Sequence, residues 1–254
     1  MQYVDMHCHP SFLDAMNPLL ECASRNHVGM FANTVLPSEY VDARDSVESF
    51  RGVRLGLGLH PWWVAQGKAD DQEVRLFEEL APQCRYIGEI GLDFGKRFAG
   101  EREEQGMVFR HVLAVCAQPG VPHVMSFHSS SAASVVMDEV ERAGLSDAIR
   151  IFHWFSGSSD ELMRARRAGW YFSVGERMLA TKRGRAYLQA IPEDRLLLET
   201  DLPSSPQSKM DYDGYYRSLA GVAQVVAVER GERVVQRALE SSCKLLELDV
   251  MNDD

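Results

Sequence analysis

Eight short apolar runs, each followed by a stretch whose apolar residues recur at helical spacing, constrain this chain more than any other feature. The runs cover residues 3–9, 29–35, 54–60, 86–92, 123–128, 150–153, 170–174 and 196–200. Between them the period changes. Val74, Phe77 and Leu80 fall at i, i+3, i+6, and Val108, Val112 and Val115 at i, i+4, i+7, as one face of a helix requires. Val136, Val140 and Ala143 repeat that spacing, and Gly144 is placed to stop the helix. Ser158 or Ser159 can cap the next helix, which ends at Gly169. Two further patterns, Tyr216/Leu219/Ala223/Val226 and Val234/Ala238/Leu245, supply the last helices. Eight strand-then-helix units in 254 residues match an α/β fold of the (β/α)8 TIM-barrel type. A doubly wound open sheet would carry a Gly-rich turn after its first strand. Here that strand runs into His7-Cys8-His9-Pro10. No Pro/Gly/Ser-rich linker divides the chain, so residues 1–254 are expected to form a single domain.

In such a barrel the C-terminal ends of the strands carry the chemistry. His7 and His9 end the first strand, His60 the third, Glu89 the fourth, His128 the fifth and His153 the sixth, and Asp201 follows the eighth. Five of the eight histidines therefore sit at strand ends, too many for chance placement. Alternation along a strand turns Asp5, His7 and His9 to one face, which lets two imidazoles grip one divalent cation with a carboxylate beneath as outer support. Four imidazoles (His7, His9, His128, His153) and two carboxylates (Glu89, Asp201) exceed what one tetrahedral ion needs, so two metals are expected. Their identity stays open among Zn²⁺, Mg²⁺, Mn²⁺ and Ni²⁺. Such a centre suits hydrolysis of phosphate esters or amides.

The segments Asp5-Met6-His7-Cys8-His9, Gly58-Leu59-His60-Pro61, Gly88-Glu89-Ile90-Gly91-Leu92-Asp93, Phe127-His128-Ser129, His153-Trp154-Phe155-Ser156-Gly157 and Leu198-Glu199-Thr200-Asp201 occur in order. This set resembles the TatD family of metal-dependent nucleases within the amidohydrolase superfamily, from Val4 to about Pro203. The resemblance implies that His7, His9 and Glu89 hold one metal and that His128 and His153 hold the other, with Glu89 shared. It implies that Asp201 binds metal and manages the proton of the attacking water, so that Glu89 and Asp201 are the catalytic carboxylates. Glu89 stands where other branches of the superfamily use a carboxylated lysine. The implied activity is hydrolysis of DNA phosphodiester bonds by a metal-activated water, with single strands or 3′/5′ ends as substrate.

The chain also departs from the pattern. Ser129-Ser130-Ser131-Ala132 lacks the basic residue expected after His128, Leu202-Pro203-Ser204 replaces Ala/Gly-Pro-Tyr/Phe, and Ser241-Ser242-Cys243 lacks an Asn. Substrate contacts are expected instead from His60, Asp93, Trp154 and Arg177, with Trp62 and Trp63 as stacking surfaces or rim. Lys96, Arg97, Lys182, Arg183 and Arg185 are further cations, Arg185 on a solvated face. Glu199, two residues before Asp201, should face inward and support a ligand. Cys8 should point into the strand's other face rather than act as a nucleophile.

A net charge of −10 argues against a generally basic nucleic-acid surface but not against a local basic groove. The acidic charge and the missing basic residue after His128 also favour a second reading, a hydrolase acting on a small-molecule ester, lactone or amide, and a third is a non-catalytic subunit of a multi-protein system. Five cysteines, odd in number and without C-x-x-C spacing, fit free thiols in a reducing compartment. With no secretory pattern or membrane-length apolar run, a cytoplasmic location and no membrane partner are expected.

Overall fold

The structure, a computed structural model, describes residues 1–206 and 208–249. Its strands are β1 (Tyr3–Cys8), β2 (Val28–Asn33), β3 (Val53–Leu59), β4 (Tyr86–Gly91), β5 (Val124–His128), β6 (Ile149–His153), β7 (Tyr171–Val174) and β8 (Leu196–Leu198). They form one sheet in the order β1 to β8. The helices are α1 (Asn17–Arg25), α2 (Pro37–Glu48), α3 (Pro61–Ala65), α4 (Asp71–Leu80), α5 (Arg102–Cys116), α6 (Ala133–Arg142), α7 (Ser159–Arg167), α8 (Glu176–Leu179), α9 (Lys182–Ala190), α10 (Tyr212–Arg230) and α11 (Glu232–Leu246). Strands taken in sequence order, with helices in every connection, make the (β/α)8 fold that the spacing predicts. Contacts cluster into two compact units.

The first unit comprises Met1–Ala32, Ala43–Leu55 and the described part of Tyr171–Asp254. Within it β1 pairs in parallel with β2, Val4 opposite Gly29, and β7 with β8, Ser173 opposite Leu197. Each strand is buried almost throughout, as expected where both faces are covered. The α10 stripe falls as read on Leu219, Ala223 and Val226, with Val222 buried beside them, but its first member is Tyr215 rather than Tyr216. Tyr216 is half-buried with its hydroxyl on Gln2. Tyr215 wins the inward position because a buried acceptor, Asp5, awaits its hydroxyl. The α11 stripe falls as read, on Val234, Ala238 and Leu245.

The second unit comprises Asn33–Asp42 and Gly56–Trp170. Here β4 pairs with β5, Gly91 opposite His128, and β5 with β6, Phe127 opposite Phe152. Phe127, Phe152, Phe155 and Trp170 are fully buried, and Trp170 stacks on Phe152 with ring centroids 4.1 Å apart. Helix ends follow the expected chemistry. Ser158, rather than Ser159, caps α7 in a capping box with Glu161, and Gly144 and Gly169 take positive φ just past α6 and α7. Among the described residues no helix is long and apolar enough to cross a membrane. All five cysteines are free and buried.

Candidate metal centre

The second unit gathers four of the predicted residues around one oxygen. Glu89, buried near the end of β4, has its Oε1 at 2.8 Å from His153 Nε2, 2.9 Å from His128 Nδ1 and 3.1 Å from His60 Nε2. The His128 and His153 nitrogens stand 3.5 Å apart. The His60, Glu89 and His128 atoms lie close enough to share a cation, but His60 is excluded by its tautomer. Its Nδ1 accepts the Trp62 backbone N–H at 3.0 Å, so its ring hydrogen sits on Nε2 and is donated to Glu89. His60 therefore donates from Nε2 to Glu89, while the sequence suggests it as a substrate contact.

The backbone around Glu89 explains why glycine flanks it. Glu89 N–H donates to Thr34 O at 2.8 Å, and the Thr34 hydroxyl spans β3 by donating to Gly56 O and accepting from Gly58 N–H. A Cβ on Gly88 would stand 2.1 Å from Asn33 Oδ1. One on Gly91, at φ +140, would stand 2.0 Å from His128 O. Only glycine lets β4 approach β5 closely enough to set Glu89 against His128.

Asp93 completes this cluster. Its Oδ2 accepts from Trp62 Nε1 at 2.7 Å and lies 3.2 Å from His128 Nε2, while Oδ1 accepts from Gly95 N–H. Gln105 Oε1 fixes the Asp93 backbone N–H. Burial would raise the Asp93 carboxyl, but the hydrogen bonds from His128 and Trp62 hold it well below the usual range. Burial would likewise lower the His128 imidazole, yet its bonds to Asp93 and Glu89 push it up to about 9.

The first unit holds the other predicted residues. His7 Nε2 and His9 Nε2 lie 3.2 Å apart, and His9 Nε2 is 3.6 Å from Asp201 Oδ1. His9 stacks on Phe12 at 4.8 Å between centroids, which holds its ring plane. Asp201 N–H donates to His7 O at 2.9 Å, and Asp201 itself takes φ +56, the left-handed region an Asp tolerates. The other side of its carboxylate faces Arg177, whose Nη1 is 3.8 Å from Oδ2. Asp5 serves this arrangement as a clamp. Its oxygens accept from the Thr200 N–H and hydroxyl, the Tyr215 hydroxyl and the His7 backbone N–H. Burial raises the Asp5 carboxyl to about 6, against these hydrogen bonds, which lower it. Glu199 is buried as expected and accepts from the Ser173 hydroxyl.

Donor atoms about 2.0–2.1 Å from a tetrahedral cation stand about 3.3 Å from one another. The separations of 2.8–3.5 Å among Glu89, His128 and His153, and of 3.2 Å between His7 and His9, are of that size. The imidazole and carboxylate donors in both clusters thus fit divalent metal.

Of the remaining predicted residues, Trp154 follows β6 with φ +36, half-buried, a strained backbone of the kind that gathers at functional sites. Arg185 is bound to Glu229 and to Leu179 O, a structural role. Cys8 is buried with its thiol toward Phe31 O, and burial pushes its pKa well up, which removes it as a nucleophile. Thr34, Gln105, Ser173 and Tyr215 were not legible as site residues, because each acts through a partner distant in sequence.

The chain is 27% identical over 264 residues to the human deoxyribonuclease TATDN3, covering 95% of this chain and 93% of that protein. It is 36% identical over 156 residues to the 3′-5′ ssDNA/RNA exonuclease TatD of Dickeya dadantii, covering 58% of this chain and 55% of that protein. A crystal structure of a TatD-family hydrolase from Entamoeba histolytica shares the fold at a TM-score of 0.75, with 18% identity over 96% of this chain and 98% of the other. The family model for TatD-related DNases matches residues 4–247, and the chain belongs to that family.

Proposed function

We propose that this protein is a divalent-metal-dependent hydrolase that cleaves phosphodiester bonds in DNA, single strands or strand ends in particular. The observation that carries the reading is the pair of imidazole nitrogens, from His128 and His153, set against one buried oxygen of Glu89, a donor set that suits a hydrolytic metal centre, in a chain of this family. Its relatives named as a deoxyribonuclease and as an ssDNA/RNA exonuclease support DNA as the substrate class. The family match from 4 to 247 supports treating residues 1–254 as one functional domain.

In this reading Glu89, His128 and His153 are ligands from one cluster, and His7, His9 and Asp201 from the other. Two divalent ions held by them would supply positive charge for the phosphate oxygens and acidity for the attacking water. His60 keeps Glu89 turned toward its partners by donating from Nε2. Asp93 holds His128 in place and, through the Trp62 indole, the wall beside it. Asp201 is the proton acceptor: its carboxylate is more exposed than that of Glu89, 17% against 3%. Arg177, half exposed, binds substrate phosphate beside it. Trp154 lines the substrate path at the end of β6. The protein works in the cytoplasm, alone or with protein partners encoded beside it.

The test is hydrolysis of single-stranded and duplex oligonucleotides by metal-stripped protein, with Mg²⁺, Mn²⁺ or Zn²⁺ added back. Cleavage that requires metal supports the reading. Protein that binds metal but leaves every oligonucleotide intact overturns it and directs attention to small-molecule esters, lactones and amides.

A further inference from the structure

Arg97 occupies an unusual position. It lies on the exposed 3₁₀ turn Lys96–Phe98, two residues past Gly95, whose backbone is pinned to Asp93 Oδ1. Its guanidinium carbon lies over the Trp62 ring at 5.6 Å from the centroid and over the Phe98 ring at 5.0 Å. Among the described residues it pairs with no carboxylate and donates to no carbonyl, unlike Arg102, Arg164 and Arg185. A guanidinium held over aromatic rings with no carboxylate or carbonyl to bind keeps its N–H donors available, the fork that forms bidentate bonds to phosphate. From Arg97 the contacts lead inward without a break: Trp62 to Asp93 at 2.7 Å, Asp93 to His128 at 3.2 Å, His128 to Glu89 at 2.9 Å. The neighbouring loop, joined to this turn by the Phe94 N–H to Ser130 O bond, is Ser129-Ser130-Ser131 and brings no charge.

We propose that Arg97, held on the face of Trp62, grips a phosphate group of the substrate beside the Glu89–His128–His153 cluster and thereby sets how the strand is positioned for cleavage. This rests on the nuclease reading for the identity of the substrate, but the phosphate site itself does not. Its role is binding: Arg97 touches no reacting atom, so its loss raises KM and leaves kcat near the wild-type value. One phosphate contact fewer also lowers the salt slope of single-strand binding by about 0.7.

Two measurements test it on the Mn²⁺-loaded protein, with wild type, Arg97→Ala, Arg97→Lys, Trp62→Phe and the surface control Arg75→Ala. Calorimetric titration with phenyl phosphate reads the site without catalysis. Cleavage of a single-stranded oligonucleotide at several salt concentrations reads KM, kcat and slope. The expected result is a loss of tenfold or more in phenyl phosphate affinity and a similar rise in KM for Arg97→Ala, at unchanged melting temperature. Arg97→Lys and Trp62→Phe should fall in between, and Arg75→Ala should match wild type. If Arg97→Ala equals wild type in phenyl phosphate affinity, KM and slope, the proposal is overturned while the nuclease reading stands. If phenyl phosphate binds through Arg97 but no oligonucleotide is cut, the nuclease reading falls and the phosphate site stands. Wild type that binds no phenyl phosphate overturns the proposal as well.

Discussion

The cluster around Glu89 and the cluster around Asp201 use the same residue types in opposite ways. Glu89 is almost wholly buried, and one of its oxygens meets three imidazoles at 2.8–3.1 Å. Asp201 is partly exposed, stands on a left-handed backbone, and has His9 at 3.6 Å and Arg177 at 3.8 Å. The surroundings differ in the same sense. Glu89 is locked by glycines that permit close backbone approach and by the Thr34 carbonyl, whereas Asp201 is presented by a turn whose rigidity comes from Asp5, Thr200 and Tyr215 below it. A carboxylate whose every freedom is removed is suited to holding a cation. One held by its backbone while its oxygens reach toward solvent is suited to accepting a proton. The lesson is that chemical role follows from how a side chain is restrained, not from its identity.

The largest effect should come from closing the gap that lets Glu89 meet His128. Gly91→Ala forces a Cβ into His128 O at a backbone angle alanine avoids, so β4 and β5 must part. We expect a loss of about 3 kcal/mol or more in urea unfolding, together with loss of bound metal. Near-wild-type stability and metal content would break the claim that close packing builds this cluster.

Next is Tyr215→Phe, which removes one donor from the buried Asp5. A cost of about 1–3 kcal/mol is expected, with a fall in activity out of proportion to any change in metal content, since the turn carrying Asp201 loosens. Unchanged stability would show that Asp5 is not the restraint on that turn.

The smallest effect concerns the scaffold behind His153. Glu161 accepts from the N–H and hydroxyl of both Ser158 and Ser134, tying the loop after β6 to the start of α6. Burial opposes ionisation of Glu161, but these bonds lower its pKa on balance. A lowered carboxylate stabilises the fold above its unfolded pKa, and that contribution is lost as pH falls through the folded value. Glu161→Ala should therefore cost about 1 kcal/mol near neutral pH, and the gap to wild type should shrink as the pH drops below the usual carboxylate range. A gap independent of pH would assign the cost to packing rather than charge.

Much of this was readable before any coordinates. The switch from short apolar runs to helical spacing located all eight strands within a residue or two, because strands covered on both faces read as continuous apolar runs. The histidines and carboxylates were legible because polar groups at the ends of such runs have few other reasons to be there. What escaped the sequence depends on contacts between residues far apart in the chain. Nothing near Trp62 announces that its indole will bind Asp93, 31 positions later. The choice of Tyr215 over Tyr216 was decided by a buried acceptor on β1. His60 was expected at the substrate, and only the Trp62 N–H on its Nδ1 reveals it as a donor to Glu89.

The most direct test of the division of labour measures metal content and DNA cleavage together in Glu89→Gln and Asp201→Asn, each loaded with Mn²⁺ and compared with wild type. The account predicts that Glu89→Gln loses metal and cleavage together, while Asp201→Asn retains most of its metal and loses cleavage by roughly a hundredfold or more. Full metal and full activity in Glu89→Gln, or undiminished cleavage by Asp201→Asn, would contradict it.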